Sequence, residues 1–149
     1  MEEAAMFRKI AVAYNESPEA KRALASAIQL AKNLNADVQA VTVVADLPAY
    51  TAYAGAADAS LTRVLQEDRT TVYGSLQDAA RTYASDHGVE LSCHLVEGHE
   101  VEAIVDFLRS QKVDLLVVGL HQRDLYIARL WSTVYELAQE APCSVLGVH

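Results

Sequence analysis

Five short apolar runs, separated by longer segments of helical periodicity, constrain the fold of this chain more than any other feature. The runs are Ile10–Tyr14, Val38–Val44, Val89–Val96, Leu115–Gly119 and Ser144–Val148. Three of them are rich in valine and almost uninterrupted by charge, which is typical of strands buried on both faces of a parallel sheet. Val89–Val96 alternates apolar with polar residues, so we expect it at an edge of the sheet.

The segments between these runs carry the signals of four helices. Ser17 can cap the first helix, and Pro18 suits its first position. A long second helix is predicted from about Ala59 to Asp86 and a third from about Glu100 to Gln111, while Pro142 stops a fourth. The stripe expected to be buried on the second helix consists of Leu61, Val64, Leu65, Val72, Leu76, Ala79 and Tyr83.

The alternation of strands and helices predicts a single α/β domain over residues 1–149. Right-handed crossovers make it a doubly wound, five-stranded parallel sheet with helices on both faces, in the Rossmann-like or flavodoxin-like strand order 3-2-1-4-5. Ligands of such sheets bind beyond the carboxyl ends of the strands. Asn15-Glu16-Ser17 and the segments that follow Val44 and Gly119 should therefore surround one crevice.

Composition and charge exclude several classes of protein. The formal net charge of −8 and the lack of any Lys/Arg-rich run argue against general binding to nucleic acid or to an anionic membrane. No run approaches the roughly 18 apolar residues of a membrane span. The first residues, MEEAAMFRKI, are acidic where a secretory signal would be basic. We therefore expect a cytoplasmic protein.

The cysteines and histidines form no recognisable metal, disulfide or catalytic motif. Cys93 and Cys143 are far apart in sequence and are expected to be reduced packing residues. Four possible metal ligands lie close together in sequence: His94, Glu97, His99 and Glu100. His94 and Glu97 straddle a strand end, where alternate residues point apart, and neither HxxxH nor HExxH occurs. GxSxG and Walker A patterns are also absent, so we expect neither a metal nor catalytic residues.

Three stretches of the sequence together resemble the universal stress protein family. KIAVAYNESPEAKRALASAIQLAKNLNADV resembles the family's first strand, turn and helix, LVEGHEVEAIVDFLRSQKVDLLVVG its third strand, third helix and fourth strand, and APCSVLGVH its closing strand. The resemblance omits Ala45–Asp58, which is either a lid over the crevice or, as we favour, a surface connection. It implies a stress-response protein without catalytic activity.

A loop after the fourth strand separates the family members that bind ATP from those that do not. Binding members share the pattern G-2x-G-9x-G-(S/T), because backbone N–H groups must come close to the phosphates. The pattern falls here on Gly119, Gln122, Ser132 and Thr133, so two of its glycines are replaced. GLHQRDLYIARLWSTVYEL resembles the universal stress protein A type, which is regarded as not binding ATP. We therefore expect no bound cofactor.

The base end of the crevice departs less from the pattern. Binding members carry an aspartate at the position of Asn15, and their arrangement implies that the backbone of Val43 contacts a base. The alternative is thus a sensor that holds ATP or a related nucleotide between Asn15 and Ser132-Thr133. A slow ATPase is a weaker alternative, because the sequence offers no clear general base.

Two local structures are open for the segment before Thr133. Asp124 can cap a helix that begins before Ser132 and fills the space of a phosphate loop, and we favour this interpretation. Alternatively, Ser132 caps a shorter helix whose free N–H groups form an anion site.

The last apolar run predicts a partner. Ser144–Val148 is uncharged and should lie at a sheet edge, which invites pairing with another copy of the chain. Universal stress proteins commonly dimerise through this strand, so the resemblance implies a two-fold homodimer, with other universal stress proteins as further candidate partners.

Overall fold

A computed structural model of the chain describes residues 6–44, 59–120 and 133–149 and, for residues 59–70, the backbone alone. Its elements follow one another as β1 (Lys9–Ala13), α1 (Pro18–Leu34), β2 (Asp37–Val44), α2 (Ala59–Asp86), β3 (Leu91–Glu97), α3 (Glu100–Ser110), β4 (Leu115–Gly119), α4 (Thr133–Glu140) and β5 (Ser144–Val148). The predicted alternation of strands and helices is confirmed.

The strands form one parallel sheet in the order β3-β2-β1-β4-β5, as predicted. β4 and β5 begin and end where the sequence predicts, and β3 lies at an edge. β3 nevertheless begins at Leu91, two residues later than predicted, because Val89 belongs to the turn that ends α2. Its N–H donates to the carbonyl of Ala84 at 2.9 Å, beside Gly88 with a φ of 75°.

The start of α1 has the predicted cap. The Ser17 hydroxyl accepts a hydrogen bond from the N–H of Ala20 at 3.2 Å, and Pro18 occupies the first turn. The helix ends at Asn35, which takes the left-handed conformation with a φ of 53°. The cap matters for function because it places the first turn of α1 beside the carboxyl end of β1.

The sheet separates two apolar layers. On one face, α1 and α2 cover Ile10, Val12 and Val117. On the other face, α3 and α4 cover Val41 and Leu116. The side chains of alternate residues in a strand point to opposite faces, so each central strand contributes to both layers, as the uninterrupted valine-rich runs indicate.

The buried stripe of α2 differs from the prediction. Val72 is 62% exposed and Tyr83 is 37% exposed, whereas Ala80 and Ala84 are completely buried. The helix lies so close to β3 that the Cys93 thiol contacts the backbone carbonyl of Gln77 at 3.8 Å, and small side chains suit that distance. Ala79 is exposed and Leu76 is half-buried. The side chains of Leu61, Val64 and Leu65 lie outside the described part of the chain.

In the described part of the chain, we find no helix that is both long and apolar enough to cross a membrane.

Candidate functional site

A cavity of about 590 Å³ opens at the carboxyl end of the sheet. The ends of three strands form its floor, at Ala13, Val43 and Gly119. The turn before α1, the residues Gly98 and Glu100 after β3, and the first turns of α4 form its walls. The cavity lies between β1 and β4, where α1 covers one face of the sheet and α4 the other, as expected for the switch point of a doubly wound sheet.

The backbone of β2 is open toward this cavity at Val43. The N–H of Tyr14 donates to the carbonyl of Val41 at 3.0 Å, so the backbone groups of Val41 point toward β1. Backbone groups of residues two apart in a strand point the same way, and those of Val43 therefore also point toward β1. β1 ends at Ala13, which is in register with Val41. The N–H and C=O of Val43 thus face the cavity.

A buried hydrogen bond holds the end of β1 in place beside β2. The hydroxyl of Thr42 donates to the carbonyl of Tyr14 at 2.8 Å. Thr42 is 2% exposed and Tyr14 is 6% exposed, so the bond is shielded from water. Burial raises the pKa of the Tyr14 phenol above its ordinary value, and the nearby Cys93 raises it further. The phenol is therefore neutral at physiological pH.

Acidic residues contribute to the lining of the cavity. Among the described residues that line it, the charged side chains belong to Glu16, Glu19 and Glu100. Glu16 and Glu100 are exposed, so salt screens their charges. A ligand that brings several negative charges to this side of the cavity meets repulsion.

Comparison with known proteins agrees with this architecture. The profile of the Universal stress protein family matches residues 6–149. The chain belongs to the universal stress protein family. A universal stress protein of Methanocaldococcus jannaschii is 26% identical over 144 residues, which cover 96% of this chain and 82% of that relative.

Solved structures of universal stress proteins share the fold. A universal stress protein in complex with cAMP superposes with a TM-score of 0.75 at 23% identity, over 97% of this chain and 98% of the other. A universal stress protein from Archaeoglobus fulgidus in complex with dAMP superposes with a TM-score of 0.68 at 15% identity, over 98% and 100% of the two chains.

Four of the six predicted site residues line the cavity of this universal stress protein: Asn15, Val43, Gly119 and Thr133. Gln122 and Ser132 lie outside the described residues. The same holds for Ala45–Asp58 and for the question of whether a helix begins before Ser132.

The side chain of Asn15 already takes part in a turn. Its Oδ1 accepts a hydrogen bond from the N–H of Ser17 at 2.9 Å. This bond shapes the entry into α1 and leaves the two N–H groups of the amide as donors. Asn15 is exposed, so these donors are accessible from the cavity that it lines.

Gly119 has a structural role that the sequence does not reveal. A β-carbon at this position would overlap the backbone carbonyl of Glu19 in the first turn of α1. The glycine is therefore required by the close approach of α1 to the end of β4. Its presence is not by itself a sign of phosphate binding.

Sequence reasoning missed several contributors to the site, among them Thr42, Tyr73 and Gly98. Thr42 had a signal, since it is a lone hydroxyl in a valine-rich strand. Gly98 had a weaker signal, because it is a glycine that closely follows the third apolar run. The structure explains the glycine, since its φ of 123° is a conformation that side chains disfavour. Tyr73 had no signal, because its role depends on how far α2 extends beyond the sheet.

The remaining candidates lie away from the cavity or form no site. Among the described residues, no three histidine, cysteine or acidic side chains converge in a way that could hold a metal ion. The ring of His94 packs against Phe107 with their centroids 5.1 Å apart. Cys93 and Cys143 are free and half-buried, as expected of packing residues.

Proposed function

We propose that this universal stress protein binds an adenine mononucleotide in the crevice and acts by binding, without catalysis, in the cytoplasm. The observation that carries the proposal is the open backbone edge of β2 at Val43. ATP is expected to bind more weakly than a nucleotide with one phosphate.

The base end of the crevice supports adenine. An N–H and a C=O on the same residue form a donor and an acceptor side by side, and the N1 and N6 positions of adenine offer the complementary acceptor and donor. The Val43 backbone is suitably placed because β1 ends before it. The amide donors of Asn15 add a second polar group at this end.

The phosphate end supports a small anion better than a triphosphate. Gln122 and Ser132 replace two glycines of the loop that lets backbone approach phosphates. Glu16 and Glu100 carry negative charge at the rim. Thr133 offers a hydroxyl at the first residue of α4. The relatives solved with cAMP and dAMP hold ligands of this smaller kind.

A titration of thermal stability tests the proposal. Purified protein is melted with AMP, cAMP and ATP, the last with and without Mg²⁺. A ligand at a hundred times its Kd adds about 2.7 kcal/mol of stability, which shifts the Tm of a domain of this size by several degrees. We expect a larger shift with AMP or cAMP than with equal ATP. No shift with any of them at millimolar concentration would favour the alternative, a stress protein that acts through protein partners alone.

We further propose a two-fold homodimer through β5, with other universal stress proteins as possible partners. The carbonyl of Val148 accepts from the N–H of Leu120 at 2.7 Å, so the backbone groups of Val148 lie on the β4 side. By the alternation of a strand, those of Val145 and Gly147 point outward from the sheet edge. They form a row of donors and acceptors that a second β5 can pair.

A further inference from the structure

We infer that Tyr73 is the aromatic platform on which the bound base stacks. Tyr73 lies on α2 and lines the cavity at the end of β2. This inference rests on the proposed function and adds to it a residue, outside the loop pattern, that selects a ligand by its ring.

The position of Tyr73 follows from the path of α2. The chain leaves the carboxyl end of β2, and α2 runs back toward the amino end of the sheet to enter β3. The first turns of α2 therefore lie nearest the carboxyl ends of the strands. Gln77 contacts Cys93, which is in register with Ala40. Tyr73 precedes Gln77 by four residues, or about 6 Å along a helix.

That rise brings Tyr73 to the level of Thr42, which also lines the cavity. A strand advances about 3.3 Å per residue, so 6 Å corresponds to about two residues beyond Ala40, the level of Thr42. Ala80 and Ala84 lie on the same face of α2 as Tyr73 and pack in the apolar layer under this helix. Tyr73 lines the cavity instead. Among the side chains of α2 that the structure describes, this face therefore places an aromatic residue at the cavity.

The expected orientation of a bound base turns one of its faces toward the ring of Tyr73. Backbone donors and acceptors lie in the plane of their sheet, so a base bonded edge-on to Val43 lies roughly in that plane. One of its faces then turns toward the layer of α1 and α2, the side on which Tyr73 stands. Stacking on an aromatic ring needs only the π-face of the base and tolerates loss of the phenol hydroxyl.

Substitutions at Tyr73 separate stacking from other roles. Tyr73→Ala is expected to weaken the affinity for AMP by roughly tenfold, whereas Tyr73→Phe keeps it within about twofold. Val72→Ala is the matched control, since Val72 is the neighbouring residue, is 62% exposed and does not line the cavity. Affinities are measured by isothermal titration calorimetry, and the melting temperature of each variant confirms folding.

A spectroscopic measurement gives a readout that a merely structural role would not move. In Tyr73→Trp, AMP should quench the new indole fluorescence relative to the parent protein, because a stacked base contacts the ring. In Val72→Trp, AMP should leave the fluorescence of the introduced indole unchanged.

The outcomes distinguish this inference from the proposed function. If the wild-type protein binds neither AMP nor cAMP, the proposed function fails and the inference fails with it. If the wild-type protein binds AMP and Tyr73→Ala binds it equally well, the inference alone is overturned. Equal loss in Tyr73→Phe and Tyr73→Ala would also overturn it, because the hydroxyl rather than the ring would then carry the contact.

Discussion

The backbone of Glu19 lies directly against Gly119, so that no space remains for a β-carbon between α1 and the end of β4. The contact joins the first turn of α1 to β4, the strand beside β1, and both residues line the cavity. The packing of α1 against the end of β4 therefore by itself requires a glycine at this position.

Gly119→Ala should therefore destabilise the protein even without nucleotide. The added methyl group overlaps main chain, which cannot move aside as a flexible side chain can, and overpacking of this kind costs about 1–3 kcal/mol. Urea unfolding without ligand measures the change. The control is Gly74→Ala, whose β-carbon would meet nothing within 4 Å. There, a helical glycine replaced by alanine should gain up to about 1 kcal/mol. Unchanged stability of Gly119→Ala would show that α1 can shift.

The topology and the place of the crevice could be predicted from the sequence for a physical reason. Strands buried on both faces must be apolar throughout, so β4 is recognised residue by residue, and the apolar edge strand β5 is recognised with it. In parallel sheets the strand ends that bind ligands are known once the strands are known. Asn15 follows from that rule, whereas Val43 is indicated by the resemblance to the family, and both line the cavity.

The register of helices against the sheet could not be predicted in the same way. Among the described side chains of α2, the completely buried ones are the small Ala80 and Ala84. A stripe predicted from the largest apolar side chains is therefore rotated by part of a turn from the observed one. Whether Tyr73 lines the cavity depends on the same rotation of α2. The hydrogen bond of the Thr42 hydroxyl depends on the register of β1 with β2. Such contacts between distant segments are set by tertiary packing.

Neutralising the carboxylates at the rim should favour ligands with more phosphates. Glu16→Gln and Glu100→Gln each remove one negative charge beside the cavity. The gain in affinity should be modest, about two- to fivefold at low salt, should be larger for ATP than for AMP, and should fade as salt is added. Glu102→Gln is the control, because Glu102 shares the first turn of α3 with Glu100 but does not line the cavity. Equal effects of all three substitutions would point to net charge instead.

The half-buried thiols should make the protein less stable at alkaline pH. Burial raises the pKa of Cys93 and of Cys143 above the ordinary value of 9.0. The unfolded chain therefore ionises its thiols first, and their contribution to stability is complete below that value and is lost as the pH rises through the folded value. The free energy of unfolding should therefore fall as the pH rises above about 9. The double variant Cys93→Ser, Cys143→Ser should flatten this slope, and an unchanged slope would assign it to other groups.

A charge on β5 should break the proposed dimer. Leu146 is 38% exposed on this strand, and a lysine on an edge strand opposes pairing with a second copy. Leu95 is 41% exposed on β3, at the opposite edge of the sheet, and supplies a closely matched control. Sedimentation velocity at high micromolar concentration should show a dimer for the wild-type protein and for Leu95→Lys but a monomer for Leu146→Lys. If Leu95→Lys is the variant that dissociates, pairing occurs through β3 instead, and a monomeric wild-type protein would rule out both edges.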